Sequence, residues 1–450
     1  MLQRKSQVSF YASTLMNWNS RLRGPALRGV ADQALTSAEN FAVGIILVRG
    51  CTKAEFGLYG LGYGILVLGW TLIAGLITAQ MTAALAKETL IAEERRAQYG
   101  WLLRALLIVC LATTGCGCLL ILVLRQLHLL PAYDTYYWLF LSAALPGVCL
   151  RDFMRRYFFQ ERSESRALLM DASALALTVA ILGGVAALHV THLNSIAVAT
   201  LAVGGLAVGT CGVVAGGLSP RAHNKGAFAG FRALWRAGRW NIGATIVSWI
   251  QIQAYTFFVT AMLGLSGLAA ANAPRVLLTP VTLLSTGLAL PLLPRFAKQR
   301  TNLHAVVGFR SVRGLLAMTL AFVGVYTFAL WLARDRVVPL ILGGRYTDIW
   351  PCIVAWGFAN VFMNIRMYYS TFLLAKRSFR RLAAANVLSA AAVVSLTAPL
   401  IHFYGVVGSV YSIAAGELLF GLASLYQCRV VAAAIQANCA APPVVATSVL

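Results

Sequence analysis

The chain has 450 residues, of which 59% are hydrophobic and 11% are charged. Soluble domains carry about 25% charged residues, so this composition excludes a soluble globule and predicts a helix bundle that lies mostly in lipid. The net charge is +23, yet the Lys and Arg residues fall in short clusters between apolar runs. This is the pattern of membrane-protein loops, and it argues against a nucleic-acid partner.

Residues 1–28 predict a basic cytoplasmic segment ahead of the first span. They contain no uninterrupted apolar region and no small-residue cleavage site, so no cleavable signal peptide is predicted. Apolar residues recur at helical spacing among the basic ones, which is typical of an interfacial amphipathic helix; a disordered basic tail is the alternative. The recurring residues are Val8, Tyr11, Leu15, Trp18 and Leu22.

Apolar runs of about 20 residues predict twelve membrane spans. The predicted limits are 29–49, 56–84, 100–124, 135–159, 167–189, 194–217, 240–263, 267–294, 311–333, 347–375, 382–402 and 405–428. Basic clusters occur at the N-terminus and then in every second connection, which predicts that both termini are cytoplasmic. Arg151, Arg155 and Arg156 are assigned to the fourth connection on this basis.

The two halves of the chain resemble each other. Tyr133 and Asp134 open the fourth span as Tyr346 opens the tenth, and the same offset carries span one onto span seven. This predicts two six-helix lobes, a plan common among transporters, with chance similarity between apolar helices as the alternative. The predicted division is 1–28 for the N-terminal segment, 29–217 for the first lobe, 218–239 for a cytoplasmic linker, 240–428 for the second lobe and 429–450 for a cytoplasmic tail.

Three carboxylates lie within predicted spans. Asp32 and Glu39 are seven residues apart in span one, so they share a helix face, and Glu417 lies deep in span twelve. Desolvation disfavours the charged form of a carboxylate at the midplane, so such a group could load and release a proton or another ion during transport. Structural ion pairs are the alternative for all three. Asp171, near an inner span end, is predicted to cap a helix or to pair with the basic residues beside it.

Two arginines lie within spans of the second half. Residues 267–297 are apolar enough to cross a bilayer, yet they contain Pro274, Arg275 and Pro280. An arginine at the centre of a membrane helix costs about 2.5–3.5 kcal/mol on insertion scales, so this stretch predicts a water-filled cavity beside it. Arg275 and Arg366 are therefore candidate binding residues for an anionic substrate, with structural ion pairing as the alternative.

The sequence carries no pattern of a catalytic centre, a phosphate loop or a metal site. The nine cysteines are scattered and lie mostly within apolar runs, which is typical of small packing residues. His189 and His192 could share a helix face, but a solvated turn explains them better. The prediction is a protein that is not an enzyme and that has neither cofactor nor metal.

Several stretches resemble the polysaccharide-biosynthesis branch of the multidrug/oligosaccharidyl-lipid/polysaccharide exporter superfamily, which includes the O-antigen flippases. The first half contributes the opening of span one and its approach to span two. The second half contributes residues 267–297, which contain Pro274 and Arg275, and the regions around spans ten to twelve. The stretches are 31–67, 267–297, 342–363, 372–388 and 404–420.

The resemblance implies a MATE-like fold, in which two six-helix lobes form a V around a central cavity. The implied cargo is an undecaprenyl-pyrophosphate-linked oligosaccharide, which would move across the bacterial cytoplasmic membrane by alternating access driven by an ion gradient. Arg275 and Arg366 match in type the cavity arginines that engage pyrophosphate or acidic sugars in such proteins. Membrane lipids and the polysaccharide polymerase or export machinery are the expected partners.

Three other functions are alternatives. An ion-coupled multidrug or metabolite antiporter of the same superfamily is the main alternative, although two deep arginines suit an anionic cargo better than a cationic drug. A glycan polymerase or ligase is disfavoured because the predicted outer connections are short. A peptidoglycan-precursor flippase is disfavoured because it would have two further C-terminal helices.

Overall fold

The structure is a computed structural model. It describes residues 23–81, 92–128, 132–188, 190–220, 227–289, 302–346, 349–375 and 378–440. All regular secondary structure in these residues is helical, which confirms the predicted all-α class. The predicted interfacial helix at residues 8–22 and His189 lie outside the described residues.

The first half contains six helices within the described ranges. They are α1 (Arg23–Gly50), α2 (Lys53–Ile73), α3 (Ala92–Gln126), α4 (Ala132–Gln160), α5 (Glu164–Ala187) and α6 (Leu193–Gly216). A capping box starts α2, because the Thr52 side chain accepts from the Glu55 backbone N–H while the Glu55 carboxylate accepts from the Thr52 backbone N–H. After Ile73 the same helix continues as a π-helical turn, Ala74–Thr78.

The second half begins with one long helix. Its described helices are α7 (Ala227–Leu277), α8 (Thr279–Ala289), α9 (Asn302–Leu332), α10 (Arg334–Leu342), α11 (Trp350–Ala375) and α12 (Phe379–Ala440). The helix of α7 starts inside the predicted linker 218–239 and continues through it without a non-helical residue. This part of the linker is therefore the first segment of α7.

Glycines interrupt the two longest helices. Gly264 in α7 has φ 73°, and Gly405 in α12 has φ 56°. A residue with a Cβ rarely adopts this left-handed region, so glycine allows the chain to change direction there. Both breaks fall where the sequence predicts one span to end and the next to begin.

Seven of the described helices are long and apolar enough to cross a membrane. They are Lys53–Met81, Glu93–Gln126, Glu164–Ala187, Leu193–Gly216, Gly238–Leu277, Arg313–Leu332 and Phe379–Val431. Two of the seven contain the glycine breaks. The helices α1, α4 and α11, which carry ionisable residues, are not among the seven. The number of twelve crossings stays a prediction.

Glycine rows allow close helix contacts between the halves. A Cβ on Gly57 of α2 would lie 1.9 Å from the carbonyl oxygen of Leu265, and one on Gly60 would lie 2.6 Å from Asn272 Nδ2. The indole Nε1 of Trp249 donates to the Gly64 carbonyl at 2.8 Å. Gly57, Gly60 and Gly64 therefore form the surface of α2 on which α7 of the other half packs.

One end of the contact between the halves is closed by the α1–α2 turn. Arg345, in the connection between α10 and α11, donates through NH1 to the carbonyl oxygen of Cys51. Lys53 Nζ lies 5.4 Å from the ring centroid of Tyr346. A buried apolar cluster lies behind these contacts and includes Leu47 from the first half and Ile353 from the second. We call this set of contacts the outer seal, since the charge pattern predicts that this end faces outwards.

Candidate functional site

Three buried carboxylates meet inside the first half. Asp32 and Glu39, which lie on one face of α1, are 1% and 6% exposed, and Asp171 of α5 is 1% exposed. Ionised groups at such positions are stable only when they are paired and hydrogen-bonded. The prediction that Asp32 and Glu39 share one face is confirmed, because their partners Arg155 and Arg151 are one turn apart on α4.

Arg151 of α4 joins two of these carboxylates. Its NH1 donates to Glu39 Oε1 at 3.0 Å and its NH2 donates to Glu39 Oε2 at 2.7 Å, which is a bidentate pair. Its Nε and NH2 also donate to Asp171 Oδ1, at 3.1 and 2.8 Å. The Thr178 hydroxyl donates to Glu39 Oε1 at 3.0 Å, so Glu39 is held from two neighbouring helices.

Arg155, one turn further along α4, joins the third carboxylate. Its Nε donates to Asp32 Oδ2 at 2.8 Å, and its NH2 also contacts that oxygen. Its Nε lies 3.1 Å from Asp171 Oδ2, so Asp171 connects the two arginine pairs. The prediction that Asp171 pairs with nearby basic residues is confirmed. We call Asp32, Glu39, Arg151, Arg155 and Asp171 the acidic cluster, because three carboxylates outnumber two guanidinium groups.

The assignment of Arg151, Arg155 and Arg156 to the connection after the fourth span is wrong, because all three lie on α4. The side chains of Arg151 and Arg155 point towards buried carboxylates of α1 and α5. The signal that could have found them is their position within the predicted span 135–159. An arginine inside a span is costly unless it is paired or hydrogen-bonded or lines a water-filled cavity. The two arginines are spaced four apart, so they present one face.

A cavity borders the acidic cluster. Its opposite wall is one face of α2, with Tyr59, Tyr63 and Trp70. The Tyr59 and Tyr63 rings stack, with centroids 5.8 Å apart and an interplanar angle of 19°. Trp70 Nε1 and Asp32 Oδ1 are buried and have no hydrogen-bond partner among the described residues. The volume of about 120 Å³ is large enough for an ion with several waters.

The second half contains a separate pair with balanced charge. Arg366 of α11 donates through Nε to Oε2 of Glu417, which lies on α12 and is 1% exposed. Gln251 Nε2 donates to Glu417 Oε1 at 3.0 Å. The Arg366 guanidinium also lies 5.3 Å from the ring centroid of Phe420. Two sequence-predicted site residues are thus each other's partner, and Gln251, which the sequence did not single out, completes the group.

Arg275 belongs to neither ionic group. Its NH1 donates to the Tyr255 hydroxyl at 2.9 Å, and that hydroxyl donates to Asn272 Oδ1 at 2.6 Å. Its guanidinium lies 4.9 Å from the ring centroid of Trp356, whose Nε1 donates to the Ala271 carbonyl at 2.8 Å. Within the described part of the chain, no carboxylate lies within 4 Å of Arg275. The side chain is exposed, so a fixed and unpaired cation faces open space.

Tyr63 lies beside the acidic cluster. Its hydroxyl donates to Asn40 Oδ1 at 3.5 Å, next to Glu39. The structure brings Asp32 and Glu39 together and pairs Arg366 with Glu417. Arg275 lies outside both ionic groups.

Comparison with solved structures identifies the fold. An inward-facing multidrug-resistance MATE-family transporter of the MOP superfamily is similar over 89% of this chain and 96% of its own, with a TM-score of 0.68 and 14% identity. The lipid II flippase MurJ in an inward closed conformation is similar over 92% of this chain and 90% of its own, with a TM-score of 0.70 and 11% identity. A MOP-superfamily transporter from Pyrococcus furiosus has a TM-score of 0.61.

No protein-family model matches the sequence, and no curated protein matches it. The structural likeness extends over nearly the whole chain and confirms the predicted polytopic, MATE-like membrane fold. At 11–14% identity it shows the fold alone. The function therefore has to be inferred from the site.

Proposed function

We propose that this protein is a transporter that flips an undecaprenyl-pyrophosphate-linked oligosaccharide across the bacterial cytoplasmic membrane, for the export of exopolysaccharide, O-antigen or capsule. Its similar structures are transporters, and one of them is a lipid II flippase. The observation that carries the proposal is the unpaired Arg275. The protein is not an enzyme in this proposal, and the polysaccharide polymerase or export machinery remains the expected partner.

Arg275 has the properties that recognition of a phosphate requires. A guanidinium presents donors in a planar fork that matches phosphate oxygens, and it stays charged at any physiological pH. Tyr255 and the Trp356 ring fix its orientation, so little side-chain entropy is lost when an anion binds. With no described carboxylate within 4 Å, its charge is available to a pyrophosphate.

Arg366 is proposed as a second, conditional anion site. Glu417 neutralises it in this conformation. A proton or cation taken up by Glu417 would release the guanidinium for the substrate, and its loss would restore the pair. In this proposal Glu417 is a coupling residue because it controls whether Arg366 is free.

The acidic cluster is proposed as the main coupling site. Its formal charge is −1, because Asp32, Glu39 and Asp171 pair with Arg151 and Arg155 and with no further cation among the described residues. Uptake of one proton or one monovalent cation makes the cluster neutral, and the adjacent cavity gives a path for it. Glu39 and Asp32 are the proposed carriers.

The number and arrangement of the spans in the proposed transporter are those that the sequence predicts. Twelve crossings would form two six-helix lobes, at 29–217 and 240–428, with both termini in the cytoplasm. Alternating access would open the cavity to the inner leaflet while the outer seal is closed.

An ion-coupled multidrug or metabolite antiporter is the second candidate. The specific observation in its favour is the cavity of the first half, where Tyr59, Tyr63 and Trp70 face a cluster with excess negative charge. Aromatic faces and carboxylates together bind organic cations. This candidate predicts that Arg275 is dispensable and that the acidic cluster binds the substrate.

The two candidates differ in what Arg275 must do. In proteoliposomes that carry a lipid-linked oligosaccharide, Arg275→Ala should lower the flipping rate at least tenfold, and Arg275→Lys should retain part of it. Arg380→Ala, which changes an exposed arginine of α12, is the control. Full flipping by both Arg275 variants would refute the role of this residue.

Coupling is tested in the same vesicles. Glu39→Gln should abolish the stimulation of flipping by an imposed proton gradient, and unchanged stimulation would exclude Glu39 as the carrier. In cells, deletion of the gene should remove surface polysaccharide without changing drug sensitivity. The opposite pattern would favour the antiporter.

A further inference from the structure

The first segment of α7 has one face held against the first half of the protein. Phe231 contacts Trp101 of α3, with ring centroids 6.1 Å apart. A Cβ on Gly238 would lie 2.9 Å from a side-chain carbon of Leu76, in the π-helical turn. Asn241 Nδ2 donates to the carbonyl oxygen of Gly75 in the same turn at 3.1 Å. These contacts fix which face of the segment points away from the protein.

The outward face carries three arginines and two tryptophans. The residues occur at intervals of three and four, which places them on one side of the helix. Trp235 is 55% exposed and Trp240 is 79% exposed. We call this face the arginine–tryptophan stripe; its members are Arg232, Trp235, Arg236, Arg239 and Trp240.

The stripe has no anionic partner within the described part of the chain. No described carboxylate lies within 4 Å of Arg232, Arg236 or Arg239. Arg239 instead lies 5.7 Å from the ring centroid of Trp240. Three exposed guanidinium groups without a counter-charge make a surface that is complementary to anions.

The length of α7 places the stripe at the level of lipid headgroups. From Gly264 to Trp240 the helix measures about 36 Å at 1.5 Å per residue, and to Arg232 it measures about 48 Å. The hydrocarbon core is about 30 Å thick, and about 40–45 Å with the headgroup regions. If the break at Gly264 marks the outer surface, Trp240 lies at the inner boundary and the arginines lie among or just beyond the headgroups.

We propose that the arginine–tryptophan stripe binds the headgroups of anionic phospholipids in the cytoplasmic leaflet. Tryptophan prefers the membrane interface, where its ring is in the apolar layer and its N–H is among polar groups. Arginine forks bind phosphodiesters. A soluble polyanion would not require two exposed indoles beside a membrane-crossing helix, so a lipid is the occupant that accounts for both residue types.

The binding can be counted by native mass spectrometry of the purified full chain in detergent, with phosphatidylglycerol or phosphatidylcholine added. The wild type should bind the anionic lipid in preference to the zwitterionic one. Each basic residue near an anionic surface contributes a factor of about five in affinity. The variant R236Q/R239Q should therefore bind phosphatidylglycerol about 25-fold more weakly.

Two variants make the result specific. R236K/R239K keeps the charges and should retain most of the binding. R334Q/R336Q removes two exposed arginines from the start of α10, where Asp335 supplies a counter-charge, and should change the binding by less than about twofold. Equal binding of the two lipids by the wild type, or an equal loss in R334Q/R336Q, would overturn the proposal.

Discussion

Removal of a cation from the acidic cluster should destabilise the protein far more than removal of an anion. In the wild type, Arg151 and Arg155 face Asp32, Glu39 and Asp171, so the formal charge is −1. Arg151→Gln raises the excess to −2 and leaves two carboxylates without their main donor. Breaking a buried pair in this way costs about 3–5 kcal/mol.

Glu39→Gln acts in the opposite direction. The cluster becomes formally neutral, Arg151 keeps Asp171, and the new amide oxygen still accepts from the guanidinium. We expect a cost of about 1 kcal/mol or less. The double variant Arg151→Gln/Glu39→Gln returns to a charge of −1 and should recover about 2–3 kcal/mol of the loss in the single arginine variant.

The measurement is the free energy of unfolding in mixed detergent micelles, compared across the wild type, the two single variants and the double variant. Arg380→Gln, at an exposed position, serves as the control and should change stability by less than about 0.5 kcal/mol. If Glu39→Gln costs as much as Arg151→Gln, or if the two losses simply add, the cluster does not carry excess negative charge and the coupling proposal loses its basis.

Two further predictions concern the contacts between the halves. Gly57→Ala should lower the stability by about 1–3 kcal/mol, because the new Cβ would lie 1.9 Å from the backbone oxygen of Leu265. Gly115→Ala is the control and should be neutral or stabilising, because nothing lies within 4 Å of that position. Thermal unfolding of both variants checks this prediction. Cys51 is 2% exposed behind the outer seal, so in a variant that keeps only this cysteine Arg345→Ala should raise the rate of labelling by an impermeant maleimide several-fold, while Arg345→Lys should not. Equal rates would show that the Arg345 contact does not hold the seal.

Much of the fold could be predicted from the sequence, because helix length and apolar content are local properties. The glycine breaks at Gly264 and Gly405 lie at predicted span ends, since a turn between spans needs a residue that tolerates positive φ. The spacing of Asp32 and Glu39 likewise predicts that they share one helix face. Such features depend on residues close together in the chain.

The pairing of charges could not be predicted in the same way. Arg151 meets Glu39 across a separation of 112 residues, and Arg366 meets Glu417 across 51. Charge counting assigned Arg151 to a loop, because that method treats every basic residue near a span end as solvated. The close contact of Gly57, Gly60 and Gly64 with α7 could not be predicted either, because α7 comes from the other half of the chain.

The acidic cluster has a consequence for how the chain enters the membrane. Its arginines come from α4, whereas its carboxylates come from α1 and α5. Released alone into lipid, α4 would carry Arg151 and Arg155 unpaired, at about 2.5–3.5 kcal/mol each on insertion scales. The nascent α4 should therefore stay beside the insertion channel until α5 has been synthesised and α1 is adjacent. The three helices would then enter the bilayer together.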